Sequence, residues 1–109
     1  MRQYVTGDNA PGYLPEGEPR GPWNGWEDAV RDLASLIEED AENRLDDAEA
    51  MYEPGDERGE AQSFIRAELA SAQTYGIEEL RGHEDPRGAD VMFMGRAFYI
   101  RPAEAGADD

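Results

Sequence analysis

Apolar residues recur every three or four positions through the first half of the chain. They are Trp26, Val30, Leu33, Ile37, Ala41, Leu45, Ala48 and Tyr52. This period predicts an amphipathic helix over residues 25–52, with Asn24 as its N-cap and Glu27 completing a capping box. The Pro-Gly pair at residues 54–55 ends the pattern. Such a helix would be about 40 Å long, so a bend or break at residues 40–43 is an alternative.

A second, shorter helical pattern follows a charged and glycine-rich turn at residues 53–59. Its period predicts a helix over residues 60–74. The apolar face of this helix consists of Ala61, Phe64, Ile65, Leu69 and Ala72. Gly76 lies where a helix C-terminal glycine is expected, and residues 77–80 can add one further turn. Residues 82–88 are polar and indicate a loop.

Strand patterns occur at the two ends of the chain. Residues 2–6 predict a short strand, and the glycine- and proline-rich residues 7–25 predict a loop. Near the C-terminus, the apolar runs 91–94 and 97–100 are separated by Gly95-Arg96. A Gly-X pair between two such runs predicts a β-hairpin with a type II′ turn.

The order of these elements is strand, helix, helix, strand, strand. We expect an α+β fold in which the N-terminal strand and the C-terminal hairpin form a small antiparallel sheet. Both helices would pack on one face of this sheet, because that arrangement buries both apolar stripes. Residues 1–102 are long enough for one domain, and residues 103–109 predict a disordered acidic tail.

Charge is the most unusual property of the composition. Aspartate and glutamate total 26 residues against ten arginines and no lysine, which gives a formal net charge of -16 and a pI near 4.2. Such a field repels nucleic acid and anionic lipid and attracts basic surfaces. We therefore expect a basic protein partner, with no direct binding to nucleic acid or membrane. The absence of cysteine and of a long apolar run favours a cytoplasmic protein.

Two segments resemble small acidic proteins of unassigned function that are encoded by phages of actinobacteria. They are TGDNAPGYLPE at residues 6–16 and GRAFYIRP at residues 95–102, with an acidic helix between them. The lysine-free, arginine-rich composition agrees with a GC-rich genome. This resemblance implies a viral accessory protein acting on a host protein in the host cytoplasm, and it supplies no active site.

Acidic side chains form a stripe along the predicted first helix, on the side opposite its apolar residues. The stripe consists of Asp28, Asp32, Glu39, Glu42, Asp46, Glu49 and Glu53. Its members would be about 5–6 Å apart along the axis, which is comparable to phosphates along a nucleic-acid strand. One hypothesis is that the stripe binds the basic groove of a nucleic-acid-binding protein as a nucleic-acid mimic or inhibitor. The alternative is an exposed face that only keeps the protein soluble.

Two aromatic residues complete the predicted partner-binding set. Tyr13 and Trp23 lie before the long helix, where they either hold the preceding loop against the core or anchor a protein interface, in which Tyr and Trp are enriched. We favour the first interpretation.

No motif in the sequence indicates catalysis, a cofactor or a metal. His83 lies in a polar loop without ligand partners at a recognisable spacing, and no nucleophile elbow or phosphate-binding glycine loop is present. We therefore expect a protein that is not an enzyme. Two alternatives remain: a structural or assembly protein that forms a homo-oligomer, and a small ligand-binding protein or enzyme with a defined pocket.

Overall fold

A computed structural model describes residues 2–9 and 19–103 of the chain. Its elements, in chain order, are β1 (Gln3–Asn9), β2 (Arg20–Asn24), α1 (Trp26–Met51), α2 (Asp56–Ala72), a π-helical turn (Gln73–Ile77), α3 (Glu78–Leu80), β3 (Ala89–Phe93) and β4 (Arg96–Pro102). The four strands form one antiparallel sheet in the order β2-β1-β4-β3. The predicted α+β class is confirmed.

The C-terminal hairpin is confirmed, but its turn was predicted one residue too late. Strands β3 and β4 pair with Phe93 opposite Arg96, so the two turn residues are Met94 and Gly95. Their φ angles are 53° and 80°. Positive φ at both positions is the type I′ pattern, not type II′, and its twist matches that of the flanking strands.

Strand β2 lies within the segment that the sequence predicted as loop. The prediction was wrong for two parts of residues 7–25, because β1 extends to Asn9 and β2 pairs antiparallel with it. Pro22 belongs to β2, which is an edge strand. An edge strand tolerates proline because the backbone on its outer side has no strand to pair with.

Helix α1 runs without interruption from Trp26 to Met51, so the alternative of a break at residues 40–43 does not hold. Its predicted cap is wrong: Gly25 occupies the N-cap without a side-chain cap, and Asn24 Oδ1 accepts a hydrogen bond from Gln3 Nε2 at 2.8 Å. At the other end, the Arg58 guanidinium donates to the carbonyl oxygens of Glu49 and Tyr52 at 2.7 and 2.9 Å.

The second helical segment is longer than predicted at both ends. Helix α2 begins at Asp56, and helical backbone continues through the π turn into α3, where the predicted extra turn is found. Gly76 does not end the helix. A Cβ atom at Gly76 would lie 2.6 Å from Cγ1 of Val91, so glycine serves here to let β3 approach the helix closely.

The core lies between the sheet and the helices. It includes Tyr4, Leu33, Ile37, Phe98 and Ile100, all at most 1% exposed. Within the described ranges, no helix is both long and apolar enough to cross a membrane.

An aromatic contact joins β1 to the start of α1. The rings of Tyr4 and Trp26 meet edge to face at 5.2 Å, and Trp26 Nε1 donates to the Leu80 carbonyl oxygen at 2.6 Å. The Tyr4 hydroxyl donates to Glu84. Burial, together with this hydrogen bond to Glu84, raises the pKa of Tyr4 to about 12.

Ala103 was wrongly assigned to the predicted disordered tail. Ala103 is buried, and its amide donates to the Gln3 carbonyl oxygen at 3.0 Å. The rest of the predicted tail, residues 104–109, lies outside the described residues.

Candidate protein-binding surface

The acidic stripe predicted along α1 divides into two parts with different surroundings. In the first part, Asp28 pairs with Arg31 at 3.3 Å and Glu39 pairs with Arg20 at 3.7 Å. The side chains of Asp28 and Glu39 remain 47% and 65% exposed. Exposed pairs of this kind contribute about 0–1 kcal/mol, so both carboxylates stay accessible but already have a cation beside them.

Asp32 is not part of an exposed stripe, so that placement was wrong. Its residue is 8% exposed, and its Oδ2 accepts a hydrogen bond from the Thr6 hydroxyl at 2.6 Å. Its Oδ1 accepts from Arg20 Nη2 at 2.8 Å. Because Thr6 and Arg20 belong to β1 and β2, the N-terminal part of the sheet covers this position of the helix. Asp32 therefore joins α1 to the sheet.

Trp23 belongs to the same polar cluster. Its Nε1 donates to the Thr6 Oγ1 at 3.0 Å, and its side chain packs partly buried against the core. These contacts agree with the interpretation that Trp23 holds its segment against the core. Tyr13, the other predicted aromatic contact, lies outside the described residues.

The second part of the stripe is exposed and unpaired. Its members, which we call the distal acids, are Glu42, Asp46, Glu49 and Glu53. None of them forms an ion pair with a described residue. Glu53 lies beyond α1, because the backbone is already extended at Tyr52. The in-helix run from Glu42 to Glu49 thus covers about 10 Å at 1.5 Å per residue.

Arg58 lies at this end of the molecule, but it donates to the carbonyl oxygens of Glu49 and Tyr52 and forms no ion pair with a described carboxylate. Nine of the ten arginines contact a carboxylate or a backbone carbonyl oxygen, and the exception among the described contacts is Arg66. The last turn of α1 has no basic residue. Glu49 lies in this last turn, where a carboxylate opposes the helix dipole at about 0.3–1 kcal/mol. Glu42, Asp46 and Glu49 follow one another at four- and three-residue spacing, so their like charges also destabilise the helix.

An apolar groove lies between the end of α1 and α2, on the side of α1 opposite Glu42, Asp46 and Glu49, and no pattern in the sequence predicts it. Its apolar lining consists of Ala48, Met51, Tyr52, Ala61, Phe64, Ile65 and Met94, and we call it the distal groove. The groove has a volume of about 460 Å³. The sequence places Phe64 on the apolar face of the second helix, yet its residue is 57% exposed in the structure.

Among the described residues, no group of three or more His, Asp or Glu side chains could hold a metal ion. His83 is exposed, and two groups have shifted pKa values. The pKa of Tyr4 is raised by burial, whereas the backbone and side chain of Arg87 lower the pKa of Asp85 by hydrogen bonding. Both shifts favour the protonation state that each group already has at neutral pH. Neither residue is thus tuned for proton transfer near pH 7.

Comparison of the chain with protein-family models, with curated proteins and with solved structures finds no match.

Proposed function

We propose that the protein is a non-catalytic interaction protein that binds a basic surface of a partner protein through the distal acids. The observation that carries this proposal is the separation of charge within the chain. Nine of its ten arginines contact carboxylates or carbonyl oxygens of described residues, whereas Glu42, Asp46 and Glu49 are exposed and form no ion pair with a described residue. Like charges at three- and four-residue spacing destabilise a helix, and a cationic partner would relieve that repulsion.

A nucleic-acid mimic that inhibits its target is the more specific form of this proposal. The structure shortens the run that would imitate phosphates, because Asp32 is buried and Asp28 and Glu39 have arginine neighbours. Mimicry therefore depends on the distal acids. The resemblance to phage-encoded acidic proteins is the reason to expect a host protein as the target.

The test is affinity capture with three forms of the protein. The wild type is compared with a triple variant, Glu42→Gln, Asp46→Asn and Glu49→Gln, and with a control of equal charge, Glu68→Gln, Glu78→Gln and Glu79→Gln. The control residues lie on α2 and α3. We expect wild type and control to retain the same basic protein and the triple variant to lose it. Equal retention by all three forms contradicts the proposal.

Added duplex DNA distinguishes mimicry from an ordinary acidic interface. A mimic and DNA occupy the same basic groove, so DNA should displace the captured partner. If the partner is retained in excess DNA, nucleic-acid mimicry is excluded, and an ordinary acidic interface remains the explanation of binding. Salt is a further check, since exposed charges are screened beyond about 8 Å at 0.15 M ionic strength.

A further inference from the structure

Strand β3 is the less protected of the two edges of the sheet. The strand order places β4 on one side of β3 and no described strand on the other. Edge strands are commonly protected by a proline or a bulge. The opposite edge strand, β2, contains Pro22, and its register with β1 shifts between Tyr4 and Thr6. Strand β3 contains no proline, pairs with β4 in unbroken register, and its one charged residue, Asp90, is paired with Arg101 at 2.7 Å.

The backbone groups that point outward from β3 belong to Asp90 and Met92. The two-residue turn makes Phe93 and Arg96 a hydrogen-bonded pair. Hydrogen-bonded and non-hydrogen-bonded pairs alternate along antiparallel strands, so Val91 also bonds to β4. Asp90 and Met92 therefore direct their amide and carbonyl groups away from β4.

The pairing of β4 with β1 gives the same alternation independently. The Ala103 amide donates to the Gln3 carbonyl oxygen at 3.0 Å, so the odd-numbered residues of β4 bond to β1. Its even-numbered residues, including Phe98, then bond to β3. Within the described ranges, the outward amides and carbonyl oxygens of Asp90 and Met92 have no hydrogen-bond partner.

A depression with a volume of about 190 Å³ lies beside this edge, between β3 and the helical layer. Its charged lining residues are Glu68 and Asp90, and no described basic residue lines it. Glu68 is half-buried and forms no ion pair with a described residue. Tyr75 and Met92 also line the depression and are 76% and 61% exposed. The open edge is thus flanked by an unpaired acid and by exposed apolar side chains.

We propose that β3 pairs with an extended, basic segment of a partner protein, which joins the sheet as a further strand. An extended chain presents amide and carbonyl groups at two-residue spacing, which matches the outward groups of Asp90 and Met92. An arginine of that segment, on the helical side of the sheet, would face Glu68 and Tyr75, since a guanidinium group pairs with carboxylates and stacks on aromatic rings. This site is separate from the distal acids and goes beyond the proposed function.

A second copy of the chain is a poor candidate for the added strand. Strand β3 contains no basic residue, so a copy that paired through β3 would bring no cation to Glu68. Each copy also has a net charge of -16, and like charges across an interface are unfavourable.

The probe is a peptide of about seven residues with acetylated and amidated ends, in which valine and arginine alternate in an extended chain. Binding is followed by amide hydrogen exchange measured by NMR, because hydrogen-bonded amides are protected. In the free protein, we expect the amides of Asp90 and Met92 to exchange rapidly and that of Val91 slowly. At a peptide concentration of about ten times Kd, exchange at Asp90 and Met92 should slow about tenfold, since about a tenth of the protein remains unbound.

Two substitutions at Met92 separate its backbone from its side chain. Met92→Pro removes the outward amide and keeps the pairing with β4, because an edge strand accepts proline where the amide faces solvent. Met92→Thr removes the same side chain and keeps the amide. We expect Met92→Pro to bind the peptide about fivefold more weakly than Met92→Thr, the effect of one hydrogen bond. Circular dichroism checks the fold of both variants, and a peptide with N-methylated amides makes the same comparison on the wild-type protein.

The charge of the depression is tested with Glu68→Gln, for which Glu79→Gln is the matched control. Glu79 is exposed on α3 and does not line the depression. We expect Glu68→Gln to weaken peptide binding about threefold and Glu79→Gln to leave it nearly unchanged. Capture through the distal acids should be the same in both variants, so the two proposals fail separately.

Four results would overturn the inference. The amides of Asp90 and Met92 are already protected in the free protein at low concentration, the peptide binds without protecting them, the N-methylated peptide binds equally well, or protection rises with protein concentration alone. The last result would assign the edge to a second copy of the chain. In each case, capture that depends on Glu42, Asp46 and Glu49 would leave the proposed function intact.

Discussion

Replacing Asp32 by asparagine tests whether this carboxylate stabilises the fold or only adds to the surface charge. The substitution keeps the size of the side chain and removes its charge. Asp32 accepts hydrogen bonds from Thr6 at 2.6 Å and from Arg20 at 2.8 Å. In the variant, one of the two oxygens becomes an amide nitrogen that faces a donor.

The expected loss follows from these two contacts. A buried hydrogen bond to a charged group contributes about 1.5–3 kcal/mol. The Arg20 side chain is 44% exposed, so its contribution is discounted toward the range of about 0–1 kcal/mol for surface pairs. We expect Asp32→Asn to lower the free energy of unfolding by about 2 kcal/mol, which corresponds to a fall in Tm of roughly 8 °C for a domain of this size.

The assay is thermal unfolding followed by circular dichroism, with Asp46→Asn as the matched control. Asp46 is an exposed residue of the same helix. Neutralising it removes like-charge repulsion with Glu42 and Glu49, four residues before and three residues after it, so the Tm should stay the same or rise slightly. If the two variants melt at the same temperature, the reasoning about Asp32 is refuted.

Two further predictions concern pH and packing. Because the pKa of Tyr4 is raised from 10.0 to about 12, the stability that its neutral hydroxyl contributes should be complete below pH 10 and lost as the pH rises toward 12. Denaturant unfolding at pH 9 and pH 11.5 measures this loss, and a Tyr4→Phe variant with the same decline would contradict the assignment. Glycine-to-alanine substitution should change the free energy of unfolding in opposite directions at two helical positions. Gly76→Ala places a Cβ 2.6 Å from Val91 and should destabilise the fold by about 1–3 kcal/mol. In Gly59→Ala the new Cβ has no neighbour within 4 Å, so this substitution should stabilise the fold by about 0.5–1 kcal/mol. If the two variants shift the Tm in the same direction, the packing argument is refuted.

Helix α1 and the hairpin were predictable because their signals are local. The three- and four-residue spacing of Val30, Leu33 and Ile37 identifies one face of a helix, and all three are buried as expected. The Pro-Gly pair at residues 54–55 lies three residues after the observed end of α1. The hairpin pattern was also correct, although the shift of its turn to Met94-Gly95 depends on pairing across the two strands.

Strand β2 and the role of Gly76 were not predictable from local pattern. Pro22 argues against a strand unless that strand lies at an edge, and strand order is a property of the whole sheet. Gly76 has the sequence signature of a helix end, but its close contact with Val91 joins residues distant in the chain. The local sequence is compatible with a loop or an edge strand at Pro22, and with a helix end or a close contact at Gly76. Tertiary packing decides between them in each case.

The candidate site shows the same division. Periodicity alone determined that acids and apolar residues occupy opposite sides of α1, and composition alone determined the net charge of -16. Which acids face solvent was decided by the tertiary structure, since β1 and β2 cover Asp32 and leave Asp46 exposed. The exposure of Met51 and Phe64 was decided in the same way. A helical pattern specifies the direction of each side chain around its own axis, whereas burial depends on how far the neighbouring sheet extends along that axis.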